Sequence, residues 1–358
     1  MDADVIARID TFPLRVPFRP GDPPRGPVDS LLVKVTTASG CEGWGEAFGF
    51  EAVQVTRRAV HDLIAPLCTG RDAAPAAALM REVQQKLMVF GRSGQVIHAL
   101  SAVDTALWDI KGKTAGLPLH QLLGGGAARL PCYASLDPFG DPGAVRAAVR
   151  QAVDAGFGHV KLHERDVAAV RAAREEAGPD TGLMVDVNCP WTYREALAAA
   201  DGFREFRLGW LEEPLWPPED LAALARLRAA CGIPLAAGEN AGTVTELAAL
   251  MDAVDYVQPS PAKMGGVTAL TGVFHAAAAR GAAVMPHTFY HGPGLLAAVH
   301  VTAALGLPGA LVEWRHSALE ALPYGESLLP AGGRIQVPQG PGLGLAPDPD
   351  VLRRYAQA

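Results

Sequence analysis

Short apolar runs recur along the C-terminal two thirds of the chain, and each run ends in polar residues. Successive polar ends are about 21–27 residues apart. Continuous apolar runs, unlike alternating ones, are typical of parallel strands covered on both faces. In chain order the runs are CYASL, HVKLH, LMVDV, GWLEE, LAAGE, YVQPS, AVMPH and ALVEW. From the second run onward the polar residues are Lys161, His163, Asp186, Glu212, Glu239, Ser260, His287 and Glu313.

Alanine-rich stretches with helical character lie between these runs, and several of them end at glycine, as helix C-termini often do. Eight strands that alternate with helices predict a (β/α) barrel, although the eighth helix looks displaced or atypical. Active sites in this fold lie at the C-terminal ends of the strands. We therefore expect the polar ends to meet at the mouth of the barrel.

The N-terminal part of the chain has a different pattern, which predicts an α+β domain. The stretch SLLVKVTTASGCEGWGEA predicts a hairpin that turns at Ser39-Gly40. Helical stretches follow it, and PFRPGDPPRGPVDS before it predicts a mobile loop. We predict an N-terminal α+β capping domain over 1–125, a barrel catalytic domain over 126–325, and a C-terminal segment over 326–358 that packs back on the capping domain.

Composition narrows the class of protein. The 358 residues are 49% hydrophobic and carry a net charge of −7, and no basic patch stands out, which argues against a nucleic-acid partner. No apolar run reaches the roughly 18 residues of a membrane span, and the acidic N-terminus does not resemble a signal peptide. Five scattered cysteines without a CxxC motif fit a reduced, cytoplasmic protein.

Three acids end three consecutive predicted strands, namely Asp186, Glu212 and Glu239. In a barrel their side chains would converge, and carboxylates that close repel one another unless a cation lies between them. A site made only of carboxylate oxygens suits a hard divalent cation, Mg²⁺ first and Mn²⁺ second. The alternative is that the three residues are separate acids, exposed at the surface or ion-paired.

The chain resembles the enolase superfamily, within the mandelate racemase/muconate lactonizing enzyme group. The matching motifs are AVDTALWDIKGKTAGLPLHQLLGG, VDVNCPW, WLEEP, GEN and AKMGGVT, and they span both predicted domains. The resemblance implies a modified TIM barrel, (β/α)7β, under an α+β capping domain, with Mg²⁺ held by Asp186, Glu212 and Glu239. It also implies a reaction that begins with abstraction of the proton α to a substrate carboxylate, giving an enediolate.

Lys161 and His163 are two residues apart on one predicted strand, so both point to the same face. The resemblance places them at the family's K-x-K position, with histidine in place of the second lysine. A neighbouring Lys161 would favour neutral His163, a usable base near pH 7. The alternatives are that Lys161 only pairs with a carboxylate and that His163 is structural.

His287 matches a histidine that lies on the opposite side of the substrate in the mandelate racemase group. In that group an aspartate at the end of the preceding strand usually holds the histidine, and muconate-lactonizing relatives have a lysine there. This chain has Ser260 at that position. Serine cannot raise the imidazole pKa as a carboxylate does, so His287 is predicted to act as a general acid only, to use another carboxylate, or to be structural.

The resemblance assigns the remaining candidates. Glu313 matches a glutamate that hydrogen-bonds the substrate carboxylate, which requires a raised pKa; the alternative is a buried ion pair. Asn188, Glu213, Asn240 and Lys263, with Ser260, are predicted to orient the metal ligands. Near the mouth of the barrel, the predicted substrate contacts are Arg19 and Phe48. Further candidates are Phe18, Arg25 and Phe50.

We favour dehydration of a hydroxylated acid, such as a sugar acid, to a 2-keto acid. In this prediction Lys161 and His163 abstract the α-proton, and His287 protonates the departing hydroxyl. The alternatives are a racemase or epimerase that uses His163 and His287 on opposite faces, and a binding protein without catalysis. The partners expected are a small-molecule carboxylate and other copies of this chain.

Overall fold

The first strands form the antiparallel sheet that the hairpin pattern predicts. In the computed structural model, which describes residues 4–19 and 26–357, β1 (Ile6–Val16), β2 (Val28–Thr37) and β3 (Glu42–Ala47) pair in that order. The turn between β2 and β3 includes Gly40, whose φ of 87° is a left-handed conformation that glycine adopts without strain. The hairpin prediction is confirmed. Residues 20–25, in the proline-rich segment, lie outside the described residues.

Helices cover one face of this sheet. A π-helical turn, Val60–Ile64, joins the first two of them into one run. The long helix α4 packs so closely on β3 that a side chain at Gly45 would collide with the carbonyl of Ala102. The helices are α1 (Val53–Ala59), α2 (Ala65–Cys68), α3 (Ala76–Lys86), α4 (Gln95–Ala115) and α5 (Leu119–Leu122).

Eight short parallel strands follow, and their polar residues lie at or just beyond their C-terminal ends. The strands are β4 (Arg129–Ser135), β5 (His159–Leu162), β6 (Gly182–Asp186), β7 (Leu211–Glu212), β8 (Leu235–Ala237), β9 (Tyr256–Val257), β10 (Ala283–Val284) and β11 (Val312–Arg315). The helices between them are α6 (Pro142–Asp154), α7 (Val167–Ala177), α8 (Tyr193–Phe203), α9 (Leu221–Cys231), α10 (Val244–Leu250), α11 (Gly266–Arg280) and α12 (Pro293–Leu305).

The strands lie side by side in chain order from β4 to β10, and β11 pairs with β4 on the other side. Side-chain and backbone contacts join the edges β10 and β11, where the amide of Thr288 donates to Glu313 over 2.7 Å. Directly after β11, where an eighth barrel helix would come, the described chain has a short 3₁₀ turn, Gly325–Leu328. The predicted fold class, a (β/α)7β barrel with a separate α+β domain, is confirmed.

Helix starts in the barrel follow local sequence signals. Thr192 and Glu195 form a capping box at α8, in which each side chain accepts a hydrogen bond from the other residue's backbone N–H. The side chains of Asp141, Asp166, Asp220 and Thr243 accept backbone N–H groups at the starts of α6, α7, α9 and α10. These caps fix where each helix begins, and so the length of the loop that leads from each strand.

An apolar layer lies beneath the polar ends of the strands. Alternate residues of a strand share a face, so the residue two positions before each polar end also points inward. These and neighbouring positions form one buried cluster of Tyr133, Met184, Trp210, Ala236, Met285 and Leu311. The cluster excludes water from below, and charged groups above it therefore interact in a medium of low dielectric constant.

The C-terminal segment contacts both parts of the fold. Strand β12 (Arg334–Gln336) pairs antiparallel with the barrel strand β4. Beyond α13 (Pro349–Arg354), the amide of Gln357 donates to Pro13 of β1 over 2.8 Å. The boundaries 1–125, 126–325 and 326–358 stay a prediction. Among the described residues, no helix is long and apolar enough to span a bilayer.

Two buried carboxylates of the N-terminal domain cap helices of the barrel. Asp104 of α4 accepts the amide of Thr268 over 2.9 Å, in the first turn of α11. Glu46 of β3 accepts the amide of Gly294 over 3.0 Å, at the start of α12. Helix N-termini attract negative charge, yet burial outweighs this attraction and raises the pKa of each carboxyl to about 7.

The Asp104 cap predicts a pH dependence of stability. A carboxyl with a pKa near 7 in the folded state and 3.8 unfolded stabilises the fold below pH 4, and this contribution is lost as the pH rises to about 7. Asp104→Asn should remove this loss, on the order of a few kcal/mol. Urea unfolding between pH 4 and 8 measures it, and Asp252→Asn at an exposed position controls for net charge. An unchanged pH slope in Asp104→Asn would contradict the assignment.

Candidate functional site

Three carboxylates meet at the mouth of the barrel. Asp186 and Glu212 are register partners at the ends of β6 and β7, and Glu239 lies two residues beyond β8. One oxygen from each lies within 4.8 Å of the other two, and all three residues are buried. These residues could hold a metal ion, as the spacing of the apolar runs predicts.

The carboxylates carry more charge than their neighbours neutralise. Glu213 and Glu313 are also buried here, which makes five acids against two buried lysines, Lys161 and Lys263. Burial raises the pKa of Glu212 well above its ordinary value and that of Glu213 to about 7. Such excess buried negative charge is unfavourable unless a cation compensates it. An all-oxygen donor set of this kind fits a hard divalent cation.

Lys161 is completely buried and forms ion pairs with three acids. Its Nζ lies 2.6 Å from Glu212 Oε1, 2.9 Å from Glu313 Oε1 and 3.5 Å from Asp186 Oδ2. Burial alone would lower the pKa of Lys161, but these carboxylates raise it well above its ordinary value. The ammonium form is thus strongly favoured, and the contacts fit the alternative in which Lys161 pairs with carboxylates.

His163 lies beside the first acid of the triad. Its Nδ1–H donates to the carbonyl oxygen of Leu136, and its Nε2 lies 3.2 Å from Asp186 Oδ2. Asp186 therefore has two basic neighbours: burial alone would raise its pKa, but Lys161 and His163 hold it well below the usual range. The edge of the His163 ring packs against Phe289, with centroids 5.1 Å apart.

The third acid contacts a different pair of basic groups. Glu239 lies 3.1 Å from Lys263 Nζ and 3.2 Å from His287 Nε2. Lys263 also donates to Asn240 Oδ1 over 3.3 Å and lies 4.4 Å from the centroid of the Phe48 ring. The row of carboxylates thus has His163 at the Asp186 end and His287 at the Glu239 end.

Two hydroxyl groups lie on the other side of the His287 ring. Ser260 Oγ is 3.3 Å from His287 Nδ1 and 3.1 Å from the hydroxyl oxygen of Tyr290. Burial lowers the pKa of His287, and the nearby Glu239 opposes that shift. Sequence reasoning missed Tyr290, whose only sequence signal is its position three residues after His287.

Glu313 corrects one sequence expectation. The acidic cluster was expected to raise its pKa, but the structure gives the opposite shift. Burial favours a raised value, yet Lys161 and His287 lower the pKa of Glu313 to about 2. The amide of Thr288 also donates to Glu313 over 2.7 Å. The expectation of a raised pKa is wrong because Lys161 lies among the acids.

Supporting contacts to the acids involve backbone groups as well as side chains. The amide of Asn188, and not its exposed side chain, donates to Asp186 Oδ1 over 2.9 Å. Glu213 accepts the amide of Gly238 over 2.9 Å and the thiol of Cys189 over 2.7 Å. Asn188, Cys189 and Glu213 have φ near +50°, a strained conformation for residues other than glycine, and such strain concentrates at functional sites.

A pocket between the two domains is lined in part by Phe48, Phe50, Phe289 and Arg315. Arg315, which sequence reasoning missed, lies two residues after Glu313 and donates to Asp137 Oδ1 over 3.1 Å. Its only sequence signal is the period of two along β11.

The other predicted mouth residues lie in different places. Phe48 is half-buried and stacks on the exposed Phe50, with centroids 5.8 Å apart. The backbones of Phe18 and Leu319 form an isolated antiparallel β-bridge. Arg19 is exposed, and its Nε donates to Leu319 O over 3.1 Å. Arg25 lies outside the described residues. A substrate contact by Arg19 or Phe48 stays a prediction.

Comparison with known proteins covers both domains. Residues 4–124 match the mandelate racemase/muconate lactonizing enzyme N-terminal domain. Residues 144–351 match the enolase C-terminal domain-like family. Together these matches extend over most of the chain.

Named relatives are lyases and isomerases. The chain is 30% identical to arabinonate dehydratase of Saccharolobus solfataricus over 92% of this chain and 91% of the relative. It is 31% identical to D-galactarolactone cycloisomerase of Agrobacterium fabrum, covering 91% and 90%. The 3,6-anhydro-D-galactonate cycloisomerase structure from Zobellia galactanivorans has a TM-score of 0.88 at 29% identity, covering 99% of this chain and 100% of that one.

These matches confirm the predicted resemblance and the enzyme class, a lyase or an isomerase. The second matched range includes Asp186, Glu212 and Glu239. This chain therefore belongs to the mandelate racemase/muconate lactonizing enzyme group of the enolase superfamily.

Proposed function

We propose that this protein removes the proton α to a carboxylate in a Mg²⁺-dependent reaction, and that it dehydrates a sugar acid to a 2-keto acid. The observation that carries this proposal is the buried row of three carboxylates with a histidine at each end. Small hydroxylated acids are the substrate class that the dehydratase relatives support, arabinonate dehydratase among them.

Asp186, Glu212 and Glu239 would hold Mg²⁺, with Mn²⁺ as the second choice. When bound, the cation would supply Lewis-acid stabilisation of the negative charge that develops on the substrate carboxylate. Neighbouring residues would keep the ligands and their histidine neighbours in place through the contacts described above. These residues are Asn188, Glu213, Asn240, Ser260 and Lys263.

His163 is the proposed base. Its Nδ1–H is committed to Leu136 O, so Nε2 is the nitrogen that faces the acids and would take the α-proton. Placing a base of this kind typically accelerates proton abstraction about 10²–10⁴-fold. Lys161, predicted to share this role, would act through its charge, because its ammonium group lies against three carboxylates.

His287 is the proposed acid, which protonates the departing β-hydroxyl from Nε2. Burial lowers its pKa in the protein alone, but a negative substrate beside it would favour the charged form. Glu313 stays ionised beside Lys161, so it would contact the substrate by accepting a hydrogen bond from a hydroxyl group.

Racemisation or epimerisation is the second candidate function. The positions of His163 and His287 at opposite ends of the carboxylate row favour it, because each histidine would serve one face of the substrate. A binding protein without catalysis is the third candidate, favoured by Ser260 in place of an acid. Homo-oligomeric assembly and a cytoplasmic location stay proposals.

His163→Asn and His287→Asn should separate the proton-transfer steps. In D₂O with Mg²⁺ and a panel of five- and six-carbon sugar acids, His163→Asn should lose both α-deuterium exchange and 2-keto acid formation, by at least about a hundredfold. His287→Asn should keep the exchange and lose the keto acid. Proton NMR follows the exchange, and semicarbazide follows the product.

His275→Asn, at an exposed position of α11, is the matched control. Deuterium in recovered, epimerised substrate without any keto acid would favour the racemase. If the wild-type protein binds Mg²⁺ but catalyses neither reaction on any acid of the panel, the third candidate is favoured instead.

Cation binding should stabilise the fold, because it neutralises buried carboxylates. At a hundred times its dissociation constant, Mg²⁺ should raise the free energy of unfolding by about 2.7 kcal/mol, and thermal unfolding with increasing Mg²⁺ measures this effect. Glu212→Gln should abolish the response. The Glu213→Gln variant, which alters the neighbouring acid outside the triad, should still be stabilised, but at a higher Mg²⁺ concentration. A full response in Glu212→Gln would refute the ligand assignment.

A further inference from the structure

Arg315 is a buried arginine at the end of β11, and its guanidinium group is only partly paired. Its side chain is 7% exposed. Nη2 donates to Asp137 Oδ1 over 3.1 Å, and Nε donates to Ser317 Oγ over 3.2 Å. Asp137 Oδ2 accepts the Ser317 hydroxyl over 2.7 Å, which closes a small network along one edge of the guanidinium.

The Nη1 side of the same group is open. A guanidinium carries five N–H groups in a fixed plane, and Asp137 and Ser317 use only two of them. Nη1 donates to no acceptor within residues 4–19 and 26–357. A charged donor that is buried without a partner is unfavourable, so an acceptor from outside the chain would stabilise this side of the guanidinium.

Aromatic rings hold the guanidinium in its plane. Its Cζ lies 4.1 Å from the centroid of the Phe289 ring and 6.0 Å from that of Phe18. Stacking on aromatic rings is favourable for arginine. Phe48 and Phe50 line the same pocket as Arg315. The open side is thus fixed among apolar walls, where an ion pair is stronger than in water.

Arg315 lies near the groups proposed to act on the substrate, but farther from the barrel floor. It follows Glu313 by two residues on β11, so the two side chains share a face and are roughly 7 Å apart along the strand. The Phe289 ring that stacks on Arg315 also contacts the His163 ring, with centroids 5.1 Å apart. A chain-like acid with its α-carbon beside His163 would therefore extend its far end toward Arg315.

The other acids near this pocket already have partners. Asp29 and Glu46 line the pocket with Arg315. Asp29 pairs with Arg15 over 2.7 Å, and Glu46 caps α12. Glu313 pairs with Lys161 over 2.9 Å. Nη1 of the guanidinium is therefore left for an anionic group of the ligand.

We propose that Arg315 determines substrate specificity by binding a second carboxylate, at the end of the substrate farthest from the α-proton. The substrate class is then a sugar diacid and not a sugar monoacid, because a guanidinium fork pairs more strongly with a carboxylate than with a hydroxyl group. This inference rests on the proposed function, since it names the substrate class of the same site.

Matched pairs of sugar acids test the proposal. Galactarate and galactonate, glucarate and gluconate, and mannarate and mannonate differ only at C6, which is a carboxylate in the diacid and a hydroxymethyl group in the monoacid. With Mg²⁺ and semicarbazide detection, kcat/KM of the wild-type protein should be higher for the diacid of at least one pair by about tenfold or more. Arg315→Met should lower this value about ten- to a hundredfold and leave that of the monoacid nearly unchanged.

Removing the guanidinium also takes a partner from Asp137, so a second variant is needed. Arg315→Met combined with Asp137→Asn keeps the net charge of the pocket unchanged and should show the same selective loss. Arg165→Met, at an exposed position of the loop after β5, is the matched control and should keep the diacid preference. Circular dichroism shows whether each variant folds.

Calorimetry provides a readout that does not need turnover. The titrations use Mg²⁺-loaded His163→Asn, which should bind the acids without converting them. The preferred diacid should bind about tenfold more tightly than its matched monoacid. Adding Arg315→Met to this background should remove the difference.

Equal values for both members of every pair in the wild type, or an equal loss for both members in Arg315→Met, would overturn the proposal. A preference for the monoacid would also overturn it, because Arg315 and Asp137 would then bind a hydroxyl group. If no acid is turned over but a diacid binds through Arg315, the proposed function fails and this assignment stands. If neither class of acid binds, both fail.

Discussion

Buried negative charge at the ends of parallel strands is the constraint on which the rest of this structure depends. Five acids share a volume with two lysines and two histidines, and the strands deliver them there through the register that pairs Asp186 with Glu212. Buried negative charge of this density is stable only where cations compensate it. Lys161 supplies one such charge at the centre of the cluster, and a divalent ion fits the remainder.

The N-terminal domain and the proton-transfer groups are coupled through two helices. Asp104 caps α11 and Glu46 caps α12, and these helices follow the loops that carry Ser260, His287 and Tyr290. The same contacts that hold the domain over the barrel mouth therefore hold these loops. Below these loops, the apolar layer around Met184 and Trp210 excludes water and so lowers the local dielectric constant. Small displacements of the charged groups therefore change their electrostatic energies strongly.

Sequence alone was sufficient for the fold and for the position of the carboxylates. The apolar runs place Asp186, Glu212 and Glu239 at or just beyond strand ends, and the parallel topology brings strand ends together, so no side-chain detail was needed. The predicted sign of the Glu313 pKa shift was wrong because the shift depends on which acids Lys161 reaches. Those contacts depend on side-chain rotamers across three strands. Tyr290 was missed because its hydroxyl meets Ser260 from a loop that has no periodic pattern.

The central claim is that the three carboxylates hold one hard divalent cation. Anomalous diffraction from crystals grown with Mn²⁺ tests this claim most directly, since manganese is located by its own scattering. We predict one peak at bonding distance from an oxygen of each of Asp186, Glu212 and Glu239, with Lys161 still paired with Glu313. A peak elsewhere, or no peak while Lys161 remains against Glu212, would contradict it.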